Sequence, residues 1–225
     1  MLTPYDWQEG IGNRAQYIEG KLAQGSSVLA LSRPEGILYF TYRRQTRKIY
    51  EIYDRLILAG IGQQSDVDAI RNAALEFASR EGFERSEEDV TIQRVVTALS
   101  APLKRAFGDF GSAPAVARSL FGEVGETPED DLFYVLDYDG DYAVTKGRAA
   151  VAGTLDVGET LDKALAEIGD GDLALTIEAL KPLWIKAMDP EGELGEKATD
   201  GLTIEAALMD RRPGRENRFR LLTGD

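Results

Sequence analysis

The sequence predicts an α+β fold built as a four-layer αββα sandwich, with two antiparallel sheets between helical layers. Three observations lead there. Strand-like segments come in blocks, and pairs of helix-like segments separate the blocks. A parallel fold of alternating strands and helices would not give that order. The 225 residues also run on without a linker, repeat or low-complexity stretch, so 1–225 reads as one domain.

The first element is a helix. From Tyr5 to Gln24 the pattern is helical, with Trp7, Ile11, Ala15, Ile18 and Leu22 making one apolar stripe at three- and four-residue steps. Its expected span is 7–24, with 1–6 as a short leading tail and 26–225 as the sandwich. The stripe alone does not say whether it packs on its own domain or on a partner. Gly25 is suited to ending the helix in a left-handed conformation. Strand character begins at Ser26. Ser27–Leu31 and Ile37–Tyr42 read as a hairpin through Arg33, Pro34, Glu35 and Gly36. Lys48–Ile52 and Leu56–Gly60 follow, with Asp54 and Arg55 at the turn.

Then the period changes. Ser65 is placed to cap a helix whose inner face carries Val67, Ile70, Ala74, Phe77 and Ala78, ending at Gly82. Ser86, Glu87, Glu88 and Asp89 resemble a capping box for a second helix. That helix would bury Ile92, Val95, Val96, Leu99 and Leu103 and run to about Phe107. Strands are expected at 115–124 and 132–138. Asp137, Asp139, Gly140 and Asp141 then turn the chain into Tyr142–Thr145, and a small-residue strand follows at Ala149–Ala152. Two more helices use Leu161, Leu165 and Ile168, then Leu173, Ile177, Leu180, Trp184 and Met188. Pro182 should kink the second or mark its boundary. After an acidic loop, Leu202–Leu208 alternates as a half-buried strand, and Arg218–Leu222 makes the last.

Composition excludes much chemistry. The chain has neither cysteine nor histidine. Alone it therefore offers no disulfide, thiolate nucleophile, imidazole base or Cys/His metal site. The net charge of -13 disfavours nucleic acid and anionic membranes as partners. No apolar run reaches the ~20 residues of a spanning helix. The start, Met1 to Trp7, lacks the basic and apolar regions of a signal peptide, so a cytoplasmic protein is expected. Asp137, Asp139 and Asp141 could hold Ca²⁺, but a hairpin turn accounts for them and the rest of an EF-hand loop is missing. A glycosidase-type carboxylate pair is the other enzymatic possibility. No metal or cofactor is expected.

Several strings resemble proteasome subunits, whose architecture is that of N-terminal-nucleophile hydrolases. They are Gly25–Leu31, Gly36–Tyr39 with Arg43 and Arg44, Lys48–Asp54, Ala59–Gly62 through Asp66, and Leu202–Asp210 with Phe219 and Arg220. Each is weak alone; their order and spacing cover essentially the whole chain. They are most similar to the α subunits of actinobacterial proteasomes.

The resemblance implies a non-catalytic member. Catalytic β subunits attack with an N-terminal Thr, and the nucleophile register here falls on Ser26, with Lys48 at the family's Lys. The acid register falls on Tyr42, and the upstream segment is an amphipathic helix of α type rather than a discarded propeptide. Thr3 is a poorer nucleophile candidate. No catalytic residue is assigned. The alternative is a self-compartmentalising peptidase using Ser26 after processing.

An α subunit would form heptameric rings, template β rings, gate the axial pore and dock the C-terminal tails of an ATPase activator. The resemblance places the gate and ring contact at Thr3, Pro4, Tyr5, Asp6, Trp7 and Tyr17. It places the activator pocket at Lys48, Gly60 and Ile61, with Lys48 pairing the tail carboxylate.

Overall fold

Short turns and alternating apolar residues fold the strand blocks back on themselves. The turn from β1 (Val28–Arg33) to β2 (Gly36–Arg43) needs Gly36, whose φ is 147°. A Cβ there would lie 2.0 Å from the carbonyl oxygen of Met209. The computed structural model describes residues 4–169, 171–212 and 217–222.

In chain order, α1 (Pro4–Leu22), β1 and β2 are followed by β3 (Ile49–Tyr53), β4 (Leu56–Gly62), α2 (Gln64–Glu84) and α3 (Ile92–Gly108). Then come β5 (Ala117–Glu123), β6 (Leu132–Leu136), β7 (Tyr142–Thr145) and β8 (Arg148–Val151). The last elements are α4 (Leu155–Ala166), α5 (Leu173–Met188), β9 (Thr203–Asp210) and β10 (Phe219–Leu221). One sheet has the order β10-β9-β2-β1-β8 and the other β3-β4-β5-β6-β7, and every pair is antiparallel.

Period-2 alternation sorts the core into three layers. Ile37, Tyr39, Ile57, Phe133 and Ala207 meet between the sheets. Phe121 and Tyr134 face outward onto Ile70, Ala74, Val95 and Val96 of α2 and α3. Leu29, Leu38 and Phe40 face the other way onto Leu161, Leu165, Leu180 and Trp184 of α4 and α5. The expected four-layer αββα sandwich is the observed one.

α1 closes one end of the inter-sheet layer. Ile18 and Leu22 are fully buried there, each a gain of ~1.5–3 kcal/mol over exposure. Arg118, at the start of β5, fastens the helix. It reaches Glu19 at 2.9 Å, Asp137 after β6, and the carbonyl of Ala152 after β8 at 2.9 Å.

Several local expectations need correcting. α1 begins at Pro4, so Pro4, Tyr5 and Asp6 belong to the helix, which ends at Leu22. Gly25 has no positive φ; its N–H donates to the Leu22 carbonyl at 2.7 Å. Ser65 does not cap α2: Gln63 is the cap residue and uses no side chain. Ser86 and Asp89 bond to each other across a 3-10 turn at Glu87–Asp89. The N–H of Ile92, first in α3, goes instead to the Glu123 carboxylate at 2.8 Å. α5 runs through Pro182 without a boundary. β9 is buried on both faces from Glu205 to Asp210, because it is an inner strand between the other sheet and α5.

Candidate functional site

The β2–β3 loop carries a run of cations, Arg43, Arg44, Arg47 and Lys48, across from one sheet to the other. Lys48 lies just before β3 and is half-buried. Its Nζ donates to the Ser26 carbonyl at 2.6 Å and to Ser26 Oγ. Ser26 Oγ donates in turn to the carbonyl of Tyr42 at 2.9 Å.

A cavity of about 710 Å³ opens here, lined by Ser26, Lys48, Gly60, Ile61, Trp184 and Met188 among others. The three residues expected in a docking pocket thus share one cavity, and Gly60 N–H donates to the Lys48 carbonyl at 3.3 Å. Gly60 has a further reason to be glycine. A Cβ there would sit 2.7 Å from Cγ1 of Val67, so α2 packs directly on the bare backbone.

Glu205 completes the electrostatics. It is buried on β9 and accepts the backbone N–H groups of Lys48 at 2.9 Å and Ile49 at 3.2 Å, with Arg43 at 3.5 Å. Burial lowers the Lys48 ammonium to about 8, and the charge of Glu205 offsets part of that effect. Burial also raises Glu205, against the two N–H bonds and Arg43. Sequence reasoning did not single out Glu205. The only signal for it was one acid among the apolar residues of β9.

Ser26 is an internal residue, joined to α1 through Gly25. Tyr42 packs on Trp184, ring centroids 4.6 Å apart, in the layer beneath α5. Its ring serves packing, and the acid near Lys48 is Glu205.

Of the residues expected at a gate and ring contact, Thr3 lies outside the described residues. Pro4 starts α1, and Asp6 is exposed. Tyr5 is 83% exposed, Trp7 46% and Tyr17 52%. Trp7 packs edge-on against Phe110 of its own chain, ring centroids 5.0 Å apart. The N-terminal half of α1 therefore presents Tyr5 and Trp7, while its C-terminal half buries Ile18 and Leu22 and leaves Tyr17 exposed. A second apolar surface lies where β7, exposed along its whole length, meets β8 and Leu155 of α4; the groove measures about 640 Å³. The three aspartates of the β6–β7 turn act locally: Asp137 holds Arg118, and Asp139 accepts the N–H of Asp141 at 2.9 Å.

A two-sheet sandwich flanked by helix pairs, with Lys48 beside Ser26 two residues ahead of β1, defines the class of proteasome-type subunits. The chain belongs to that family: the family model for a proteasome subunit matches residues 23–188. Its relatives are of the α type. It is 34% identical to the proteasome subunit alpha of Xylanimonas cellulosilytica over 94% of this chain and 88% of that protein. It is 31% identical to the proteasome subunit alpha of Kineococcus radiotolerans, over 100% of this chain and 95% of the relative. The proteasome subunit alpha of Streptomyces scabiei is 27% identical over 100% and 90%. Among the described residues, no helix is long and apolar enough to cross a membrane.

Proposed function

We propose that this chain is a non-catalytic α-type subunit of a 20S proteasome core in the cytoplasm. It forms heptameric rings that template β rings, gates the axial pore through its N-terminal segment and docks the C-terminal tails of an ATPase activator. The observation that carries this reading is the chain upstream of Ser26. α1 lies there as a packed helix with Ile18 and Leu22 in the core, so Ser26 has no free amine to act as base. Two further features support assembly. The aromatic half of α1 and the groove at β7, β8 and α4 are different surfaces, and contacts between unlike surfaces can close into a ring. The Lys48 cavity supports docking, since a carboxylate entering it meets an ammonium whose hydrogen bonds, among the described residues, go only to Ser26.

Native mass spectrometry tests the reading on the purified chain, alone and mixed with a proteasome β subunit. Heptamers or double heptamers that join the β subunit in a larger particle are expected. A monomer that ignores the β subunit would sink the reading.

The contact between Lys48 Nζ and Ser26 Oγ favours one second reading, a self-compartmentalising peptidase that frees Ser26 by processing. N-terminal sequencing separates the two: a start near Met1 fits the α subunit, and a start at Ser26 fits the peptidase. Processing at Ser26 would remove Ile18 and Leu22 from the core, which weighs against it.

A further inference from the structure

Lys48 differs from an ordinary surface lysine in three ways that can be seen in its surroundings. Its stem is sunk beside the cavity, and among the described residues its nitrogen donates only to oxygens of the neutral residue Ser26. No carboxylate among the described residues lies within 4.0 Å of that nitrogen; the nearest acid, Glu205, spends its oxygens on backbone N–H groups and Arg43. The cavity beside it, about 710 Å³, has room for a small planar group. Such a site disfavours the ammonium and leaves the amine accessible.

We propose that Lys48 is an acylation site, whose amine takes an acyl group from a thioester or an acyl phosphate, and that the amide formed closes the docking pocket to carboxylates. The neutral nitrogen attacks the carbonyl carbon and the new C–N bond forms. The C–S or C–O bond to the leaving group breaks, the thiolate or phosphate departs with the electron pair, and the nitrogen loses a proton to water. The product has no charge to pair with a tail, so one modification would uncouple a subunit from its activator. The regulatory half of this proposal rests on the docking reading; the reactivity does not. The value of about 8 for Lys48 supports it, since roughly a quarter of the amine is then neutral at pH 7.5, against about a thousandth for a free lysine.

The test treats the full chain with acetyl phosphate at pH 7.5 and follows each lysine by peptide mass spectrometry. Lys163, whose side chain is 80% exposed, is the reference. Acetylation of Lys48 about tenfold faster than Lys163 is expected, and the fast phase of incorporation should vanish in Lys48→Arg. Equal rates at the two lysines would overturn the proposal. The acetylated and untreated chains are then compared for binding a short peptide with a free C-terminal carboxylate, its C-terminal amide serving as control. Loss of the preference for the free acid on acetylation is expected; an unchanged preference would overturn the regulatory half. Labelling is read without peptide, so an untreated chain that prefers neither peptide removes the docking reading and leaves the rates at Lys48 to decide the chemistry.

Discussion

Two opposed effects set the charge on Lys48: burial favours the neutral amine, and Glu205 on β9 favours the ammonium. The other groups facing this region are Arg43 and Arg47 of the β2–β3 loop and Tyr50 of β3, all coupled to Glu205. A docked carboxylate needs the ammonium, so tail binding is expected to be strong at neutral pH and to fall as pH rises through about 8. Well above that point the loss should approach tenfold per pH unit until the bound-state value is passed. Titration calorimetry of a free-acid tail peptide between pH 6.5 and 9.5 checks this; a flat profile would mean Lys48 carries no part of docking. Lys48→Ala should weaken activator-stimulated degradation at least tenfold while ring assembly and basal peptide cleavage persist, and equal loss of all three would contradict the pocket. That Lys48, Gly60 and Ile61 line one cavity was legible because each sits in a string that resembles the family's. Glu205 was not, since a lone acid in an alternating strand reads as solvent-facing. Only the pairing of β9 inside its sheet shows otherwise.

Between residue and fold stand the helices, and here sequence reading succeeded on faces and failed on ends. The buried sides of α2 and α3 follow the 3.6-residue period; only Phe77 is half-buried. The caps at Ser65 and Ser86 were misread because α2 starts after Gln63 and Ser86 leads into a separate 3-10 turn, while the Ile92 N–H that opens α3 reaches Glu123 on a strand. Such a bond spans 31 positions, beyond any local motif. The close seat of α2 on β4 gives a test. Gly60→Ala should destabilise the chain by about 1–3 kcal/mol, as overpacking does, and Val67→Ala in the same chain should recover much of that. Urea midpoints of the two single variants and the double variant measure the coupling; simple additivity would remove the contact. The gate belongs to this scale too. Helix begins at Pro4, so Pro4, Tyr5 and Asp6 of the expected gating segment are helical. Deleting residues 1–6 is expected to raise peptide entry into the assembled particle, while no change in peptide hydrolysis would place the gate elsewhere.

For the whole molecule, element order was the most legible feature. Blocks of strands divided by helix pairs permit few arrangements, and pleat and period then assign most faces, β9 being the exception. The edges remained illegible: nothing in the alternation of β7 says that its neighbour on the open side is absent. That open edge and the aromatic end of α1 are expected to be covered in the ring, so hydrogen exchange of β7 should slow on assembly and stay fast in the free chain. The anchoring of α1 also bears on how the protein is made. α1 leaves the ribosome ahead of the elements it packs on, yet Leu22 packs in a layer that includes Val151, and Glu19 waits for Arg118, which itself waits for Ala152. α1 therefore docks only after β8 has emerged, and nascent chains truncated before β8 should leave it open to protease.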